Sequence, residues 1–161
     1  MGKSGLLLHV CCAPCAAGCV ERLIAEDREV TLYFSNSNIA TEEEFARRLV
    51  SVEALARIFR LPLEVDPYDH AAWLERVAGL EAEPEKGARC PVCFGFSLER
   101  AARRAAELGV GFATTLTMSP HKSSRMIFEA GARWEHFEPY DFKKRDGFRR
   151  SRELARQYEF Y

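Results

Sequence analysis

Four of the six cysteines fall within nine residues, in "LLLHVCCAPCAAGC": Cys11, Cys12, Cys15 and Cys19. The other two form the step Cys90-Pro-Val-Cys93. Thiols at C-x2-C spacing at a helix start can hold one metal centre, helped by the positive end of the helix dipole. Taken alone, that step suits zinc, an iron–sulfur cluster or a thioredoxin-type redox pair. A second group of thiols opposite it narrows the chemistry to zinc or an iron–sulfur cluster, because both select soft sulfur ligands. A closed zinc site would serve stability only. Placement at the first strand–helix junction of an α/β sheet points instead to a catalytic centre. Cys19, four residues beyond Cys15 on one helical face, reads as a small core hydrophobe. Cys15 is left open, since one turn into the helix it can still face the same rim.

The other polar side chains are less specific. His9 sits inside an apolar run and reads as a hydrogen-bonded core histidine. His70 and His136 read as surface or core. His121, after Ser119-Pro120, falls where it could touch substrate. No G-x-G-x-x-G or Walker A pattern is present, and no Ser/His/Asp set is legible.

The elements that must position these residues alternate. "GLLLHV" (5–10) is a short continuous apolar run, as in a strand covered on both faces. A helix with Pro14 in its first turn runs to about Asp27. "EVTLYFS" (29–35) is a second strand, followed by the turn "NSNIA". Thr41 and Glu44 make a capping box that opens a helix to about Phe59. "LPLEVD" (61–66) is a third strand, 69–80 a helix and 81–89 a polar loop that delivers Cys90. A helix from Pro91 to Leu108 ends at Gly109. "VGFATTLTM" (110–118) is a fourth strand, and a helix starts at Ser119-Pro120 and ends near Gly131. "HFEPY" is a short fifth strand, and 146–158 a last helix. The reading is one α/β domain over 1–161, a three-layer parallel sheet flanked by helices. Ligands of such sheets sit at the carboxyl ends of the strands. Cys11, Cys12, Asn36, Asn38 and Ser119 all fall there.

The totals set the class. The chain has 161 residues, 47% of them hydrophobic and 29% charged, with a net charge of -1. That is ordinary for a globular domain with a sizeable core. Charge is uneven: residues 143–156 hold seven Lys/Arg against two Asp/Glu, so the C-terminal helix region 143–158 is basic on an acidic body. Such a block either meets phosphates or is a solvated face. Lys3, an apolar run and "AAGC" loosely mimic a lipoprotein leader, but His9, Pro14 and the cysteines interrupt it. Leu6 stands where a myristoylation signal needs Ser or Thr. No run reaches the roughly 18 apolar residues of a membrane span. The expected location is cytoplasmic, with no membrane partner.

"LLLHVCCAPC", "NSNI" followed by "EEFARRL", "GARCPVC", "TTLTMSPHK" and "YDFKK…GFRRSRELARQYEFY" run in one order over nearly the whole chain. In that order they resemble the QueH-type epoxyqueuosine reductases. The resemblance implies a fold similar to PP-loop/adenine nucleotide α-hydrolase (Rossmann-like) domains. It implies two-electron removal of the epoxide oxygen from epoxyqueuosine at the wobble position of tRNA, giving queuosine. The partners would be that tRNA and an electron donor. The implied cofactor is a 4Fe-4S cluster on Cys11, Cys12, Cys90 and Cys93, with a possible second mononuclear metal, iron. Cys15 would serve that metal or tune the site, and Asp141 matches an Asp near the reacting centre. Asn38, Ser119 and His121 are the expected substrate contacts. Family members usually continue past the equivalent of "YEFY" to a Cys-Gly-Cys pair, whereas this sequence stops at Tyr161. "FGFSLERAA", "NIAT" and "SPHK" also depart from the family's usual residues at or near the rim, which leaves room for a different base substrate on the same cluster, whose ligands are intact. Competing readings are a zinc-stabilised binding module, a thiol–disulfide oxidoreductase using Cys90 and Cys93, and a nucleotide-binding PP-loop relative. The last lacks a Gly-rich phosphate loop after strand 1.

Overall fold

The computed structural model describes residues 5–84 and 87–161. Lys3 and the middle of the 81–89 loop lie outside the described residues. Four strands form one parallel sheet: β1 (Gly5–His9), β2 (Glu29–Phe34), β3 (Leu63–Val65) and β4 (Gly111–Thr114). Their order is β3-β2-β1-β4. Leu7 is registered between Thr31 on β2 and Phe112 on β4. Successive side chains of β1 point to opposite faces, which explains the unbroken Leu-Leu-Leu. Leu6 and Leu8 enter one apolar cluster, and Leu7 enters the other.

Six helices cover the sheet: α1 (Ala13–Ala25), α2 (Glu42–Phe59), α3 (His70–Arg76), α4 (Arg89–Leu108), α5 (Ser124–Gly131) and α6 (Gly147–Tyr158). α1, α2 and α6 pack on the Leu6/Leu8 face. α4 and α5 pack on the Leu7 face. The expected three-layer α/β architecture is therefore present. The path runs β1 to β2 to β3, then crosses β1 to reach β4, so the order reverses beside β1. A crevice at such a reversal is where open α/β sheets bind ligands.

Helix ends follow the local chemistry. Thr41 caps α2 by accepting from the Glu44 amide at 3.0 Å. Gly109 ends α4 in the left-handed conformation at φ 70°. α1 stops at Ala25, because Asp27 turns left-handed and the Arg28 amide returns to Leu23 O.

Three expectations are corrected. The fourth strand stops at Thr114 instead of Met118. The Thr114 hydroxyl accepts from the Leu116 amide and starts a 3-10 turn over Thr115–Met118. "HFEPY" is not a strand: Phe137 makes one bridge to Phe112, and the Tyr140 amide, the next donor such a ladder would use, turns back to Glu138 O at 2.9 Å. Glu138 instead grips Arg28 through two bonds of 2.7 and 2.9 Å. The helix read from Ser119-Pro120 begins at Ser124, capped by Ser123 through the Met126 amide, so 119–123 is a loop over the rim. No helix among the described residues is long and apolar enough to cross a membrane.

Candidate metal centre

The end of β1 is held from three sides. His9 is buried, with Nδ1 2.9 Å from Thr114 Oγ1 and Nε2 3.0 Å from Ser35 O. A carbonyl only accepts, so Nε2 carries the proton and Nδ1 accepts from the threonine hydroxyl. Burial lowers the His9 pKa and keeps this ring neutral. The Asn36 amide donates to Val10 O at 2.8 Å. His9→Leu would leave the Ser35 carbonyl and the Thr114 hydroxyl short of a partner. The expected cost is about 2–4 kcal/mol, a fall in Tm of roughly 10 °C by thermal melting.

Cys11 follows directly. Its amide donates to Thr115 Oγ1 at 3.1 Å, and that hydroxyl lies 3.3 Å from Cys11 Sγ as donor. Cys12 is the residue that precedes α1 in extended conformation, with no side-chain cap on the helix amides. The positive end of α1 therefore faces the thiols. Cys15 lies one turn further, and the Sγ atoms of Cys11, Cys12 and Cys15 are all within 4.8 Å of one another. This is the candidate metal-ligating group among the described residues. Cys90 and Cys93 do not join it.

The three thiols share charge unequally. Hydrogen bonds from Cys12, then Cys15 and Thr115, hold Cys11 well below the ordinary thiol range. The same bond to Cys11 pushes Cys12 up to about 12, and Cys15 is pushed higher still. A bound cation would favour the thiolate form of all three.

Cys90 and Cys93 occupy the first turn of α4 and line a neighbouring cavity of about 250 Å³ with Trp73, Arg89, His121 and Lys122. Burial raises the Cys93 pKa, and a hydrogen bond from Trp73 Nε1 at 3.4 Å opposes it. Cys11 and Cys90 pack against the same apolar cluster, whereas Cys15 packs against the cluster on the other face of the sheet.

The remaining sequence candidates distribute along the rim. His121 is exposed at the Cys90/Cys93 cavity. Ser119 Oγ accepts from the His121 amide, and Ser119 O from Lys143 Nζ at 3.2 Å. Asn38 is partly buried in the turn after β2, whereas its neighbour Asn36 makes the structural bond to β1. Asp141 lies beside the start of α5. Its Oδ1 accepts from Ser124 Oγ at 3.2 Å and from the Lys143 amide at 3.3 Å. Cys19 is fully buried and donates to Cys15 O, as expected of a core thiol.

Sequence reasoning missed Thr115, Trp73 and Lys143. Thr115 was hidden inside an apparent strand. Trp73 lies within the helix read over 69–80 and carries no motif of its own. Lys143 was counted only as charge, yet its ammonium bridges Ser119 O, Lys122 O and Ser124 Oγ.

A family model described as "Epoxyqueuosine reductase QueH" matches residues 6–161. Curated relatives carry the same description. One from Streptococcus pyogenes is 39% identical over 99% of this chain and 67% of its own length. One from Acinetobacter baylyi is 36% identical, covering 97% of this chain and 75% of the relative. One from Thermotoga maritima is 32% identical, covering 93% and 83%.

Proposed function

The chain belongs to the QueH family of epoxyqueuosine reductases, and on that premise we propose how its residues carry out the reduction. Epoxyqueuosine in tRNA loses its epoxide oxygen as water and gains a carbon–carbon double bond, which consumes two electrons and two protons. The observation that carries this reading is the thiol triad at the point where the sheet order reverses.

The donor set fits an iron–sulfur centre. It consists of thiols alone, three of them mutually adjacent, and one of the three, Cys11, shares an apolar cluster with Cys90. Cys11, Cys12, Cys90 and Cys93 would hold a 4Fe-4S cluster, and Cys15 would bind a second mononuclear iron or tune the site. When bound, these groups supply single electrons and a Lewis acid for the epoxide oxygen. Asp141 serves the reaction from the α5 edge. Its Oδ1 is fixed by Ser124 and the Lys143 amide, which leaves Oδ2 for substrate or metal. Lys143 holds the 119–124 loop in place, and with it Ser119 and His121. Asn38 contributes from the turn after β2.

α6 carries the tRNA. It crosses the start of α1, where the Ser151 hydroxyl bonds Pro14 O and accepts from the Gly18 amide. Arg152 and Arg156 line a groove with Pro14, beside the cysteines. Arg150 is instead committed to Glu21 through two bonds of 2.8 Å. Replacing Arg152 and Arg156 by Ala should weaken binding of an anticodon stem-loop. It should also reduce the slope of log affinity against log salt by about 1 per arginine. A titration at several salt concentrations checks it, with Arg150→Ala as the variant expected to change the slope least.

The cofactor assignment is tested by iron, acid-labile sulfide and zinc content after anaerobic purification. About four iron and four sulfide per chain, with a visible spectrum bleached by dithionite, are expected. Zinc alone, at about one per chain, would make the cysteines a structural clasp and overturn the cluster assignment.

A further inference from the structure

The cavity at Cys90 and Cys93 has one wall whose chemistry the cysteines do not explain. Tyr68, His70 and Trp73 form a run of near-parallel rings. Tyr68 and His70 are 6.0 Å apart at 7°, and His70 and Trp73 are 5.3 Å apart at 20°. Behind them Phe45 meets Tyr68 at 4.8 Å and joins the run to the core.

The run is anchored by the turn after β2. Tyr68 Oη donates to Ile39 O at 2.5 Å, and His70 Nδ1 to Ser37 O at 2.8 Å. The Asp69 amide donates to Ser37 Oγ at 2.9 Å. Asp69 also caps α3 through the Ala72 amide at 3.1 Å. Three polar contacts and a cap on so short a helix fix the rings before anything binds.

Trp73 ends the run. One face of its indole lies against His70, and the indole also contributes to the cavity wall. Its Nε1–H points at Cys93 Sγ, so the plane of the ring leads to the sulfur. The cavity holds about 250 Å³, about eight water volumes, the scale of one purine-like heterocycle. Arg89 and Lys122 supply positive charge to the same cavity. A planar platform, a one-base volume and flanking cations are what single-stranded RNA recognition uses.

We propose that Trp73 is the stacking platform for the modified purine-like base, and that the Tyr68–His70 pair holds it at the angle that aims the base's side chain at the cysteines. This rests on the reductase reading and adds to it the residue that grips the base. Trp73 is a substrate-binding residue on this account, and His70 positions it.

The test uses the full chain with Trp134→Phe, which leaves Trp73 as its single tryptophan, and an anticodon stem-loop bearing epoxyqueuosine. Stacking predicts that the stem-loop quenches Trp73 fluorescence. Trp73→Ala should weaken binding and raise KM about tenfold or more, whereas Trp73→Phe, which keeps a ring face without the N–H, should stay within about threefold of wild type. α3 contains no buried residue, so Trp73→Ala should keep its fold, checked by circular dichroism. Absent quenching together with unchanged affinity in Trp73→Ala would overturn the proposal. Equal damage in Trp73→Phe and Trp73→Ala would overturn it too, because the bond to Cys93 would then be what matters. Quenching does not require turnover. Failure of the wild type to remove the oxygen would therefore be seen separately, as failure of the reductase reading.

Discussion

Cys11→Ser should emerge from anaerobic purification almost free of iron and should reduce epoxyqueuosine more than about 100-fold more slowly than wild type. Loss of a residue that only supports a ligand costs roughly 10–100-fold, and Cys11 is proposed as a ligand itself. Its Sγ lies within 4.8 Å of those of Cys12 and Cys15 and accepts from Thr115 Oγ1 at 3.3 Å. A serine hydroxyl stays protonated there and is a hard, poor ligand for iron. Cys19→Ala is the informative comparison. That thiol is fully buried and bonds only the Cys15 carbonyl, so iron content should stay at the wild-type value. Iron per chain and conversion of a modified tRNA measure both variants. A Cys11→Ser protein that keeps its iron and its rate would remove Cys11 from the centre.

Among the described glycines, Gly147→Ala should be the most destabilising substitution. Gly147 opens α6, and a Cβ there would collide with the Phe142 carbonyl, with Met118 close behind. The obstacle is backbone, so no side chain can rotate away. Phe142 is itself buried in the α1/α6 cluster, which prevents the segment from backing off. Overpacking of this kind costs about 3 kcal/mol or more, a fall in Tm of roughly 6–12 °C for a domain this size. α6 carries Arg152 and Arg156 to the cysteine rim, so stem-loop affinity should fall with stability. Gly95→Ala on α4 meets nothing within 4 Å. It should be neutral, or stabilising by up to about 1 kcal/mol through helix propensity. Thermal melts of the two variants side by side separate a steric effect from a general intolerance of substituted glycines.

Much of the scaffold was legible because local chemistry and tertiary need agree there. The Leu6–Leu8 run, the Thr41/Glu44 box and the left-handed Gly109 each state their structure within a few residues. The failures have a common cause. Thr115–Met118 is β-rich in composition, yet the Thr114 hydroxyl bends it into a 3-10 turn, and that bend brings Thr115 to Cys11. "HFEPY" has strand-forming residues, but the Tyr140 amide turns back to Glu138 O and the Glu138 carboxylate is engaged by Arg28. The helix start at Ser119-Pro120 was offset because Ser123 offers a better cap and Lys143 pins the loop from another element. In the site, the cysteine spacings announced metal chemistry, and the β1 thiols fell at the strand end where the topology reverses. Which thiols lie closest was not legible. Cys15 sits beside Cys11 and Cys12 because α1 begins at Ala13 and turns it back onto the rim. Trp73 reaches Cys93 from a different helix, a contact that no local pattern encodes.

The most direct measurement is nucleoside mass analysis of epoxyqueuosine-containing tRNA after incubation with iron- and sulfide-reconstituted protein and dithionite under anaerobic conditions. The account predicts that the modified nucleoside loses the mass of one oxygen atom and becomes queuosine, and that Cys11→Ser gives no such conversion. Unchanged epoxyqueuosine after incubation with fully iron-loaded protein would contradict the claim that this cysteine centre reduces the epoxide.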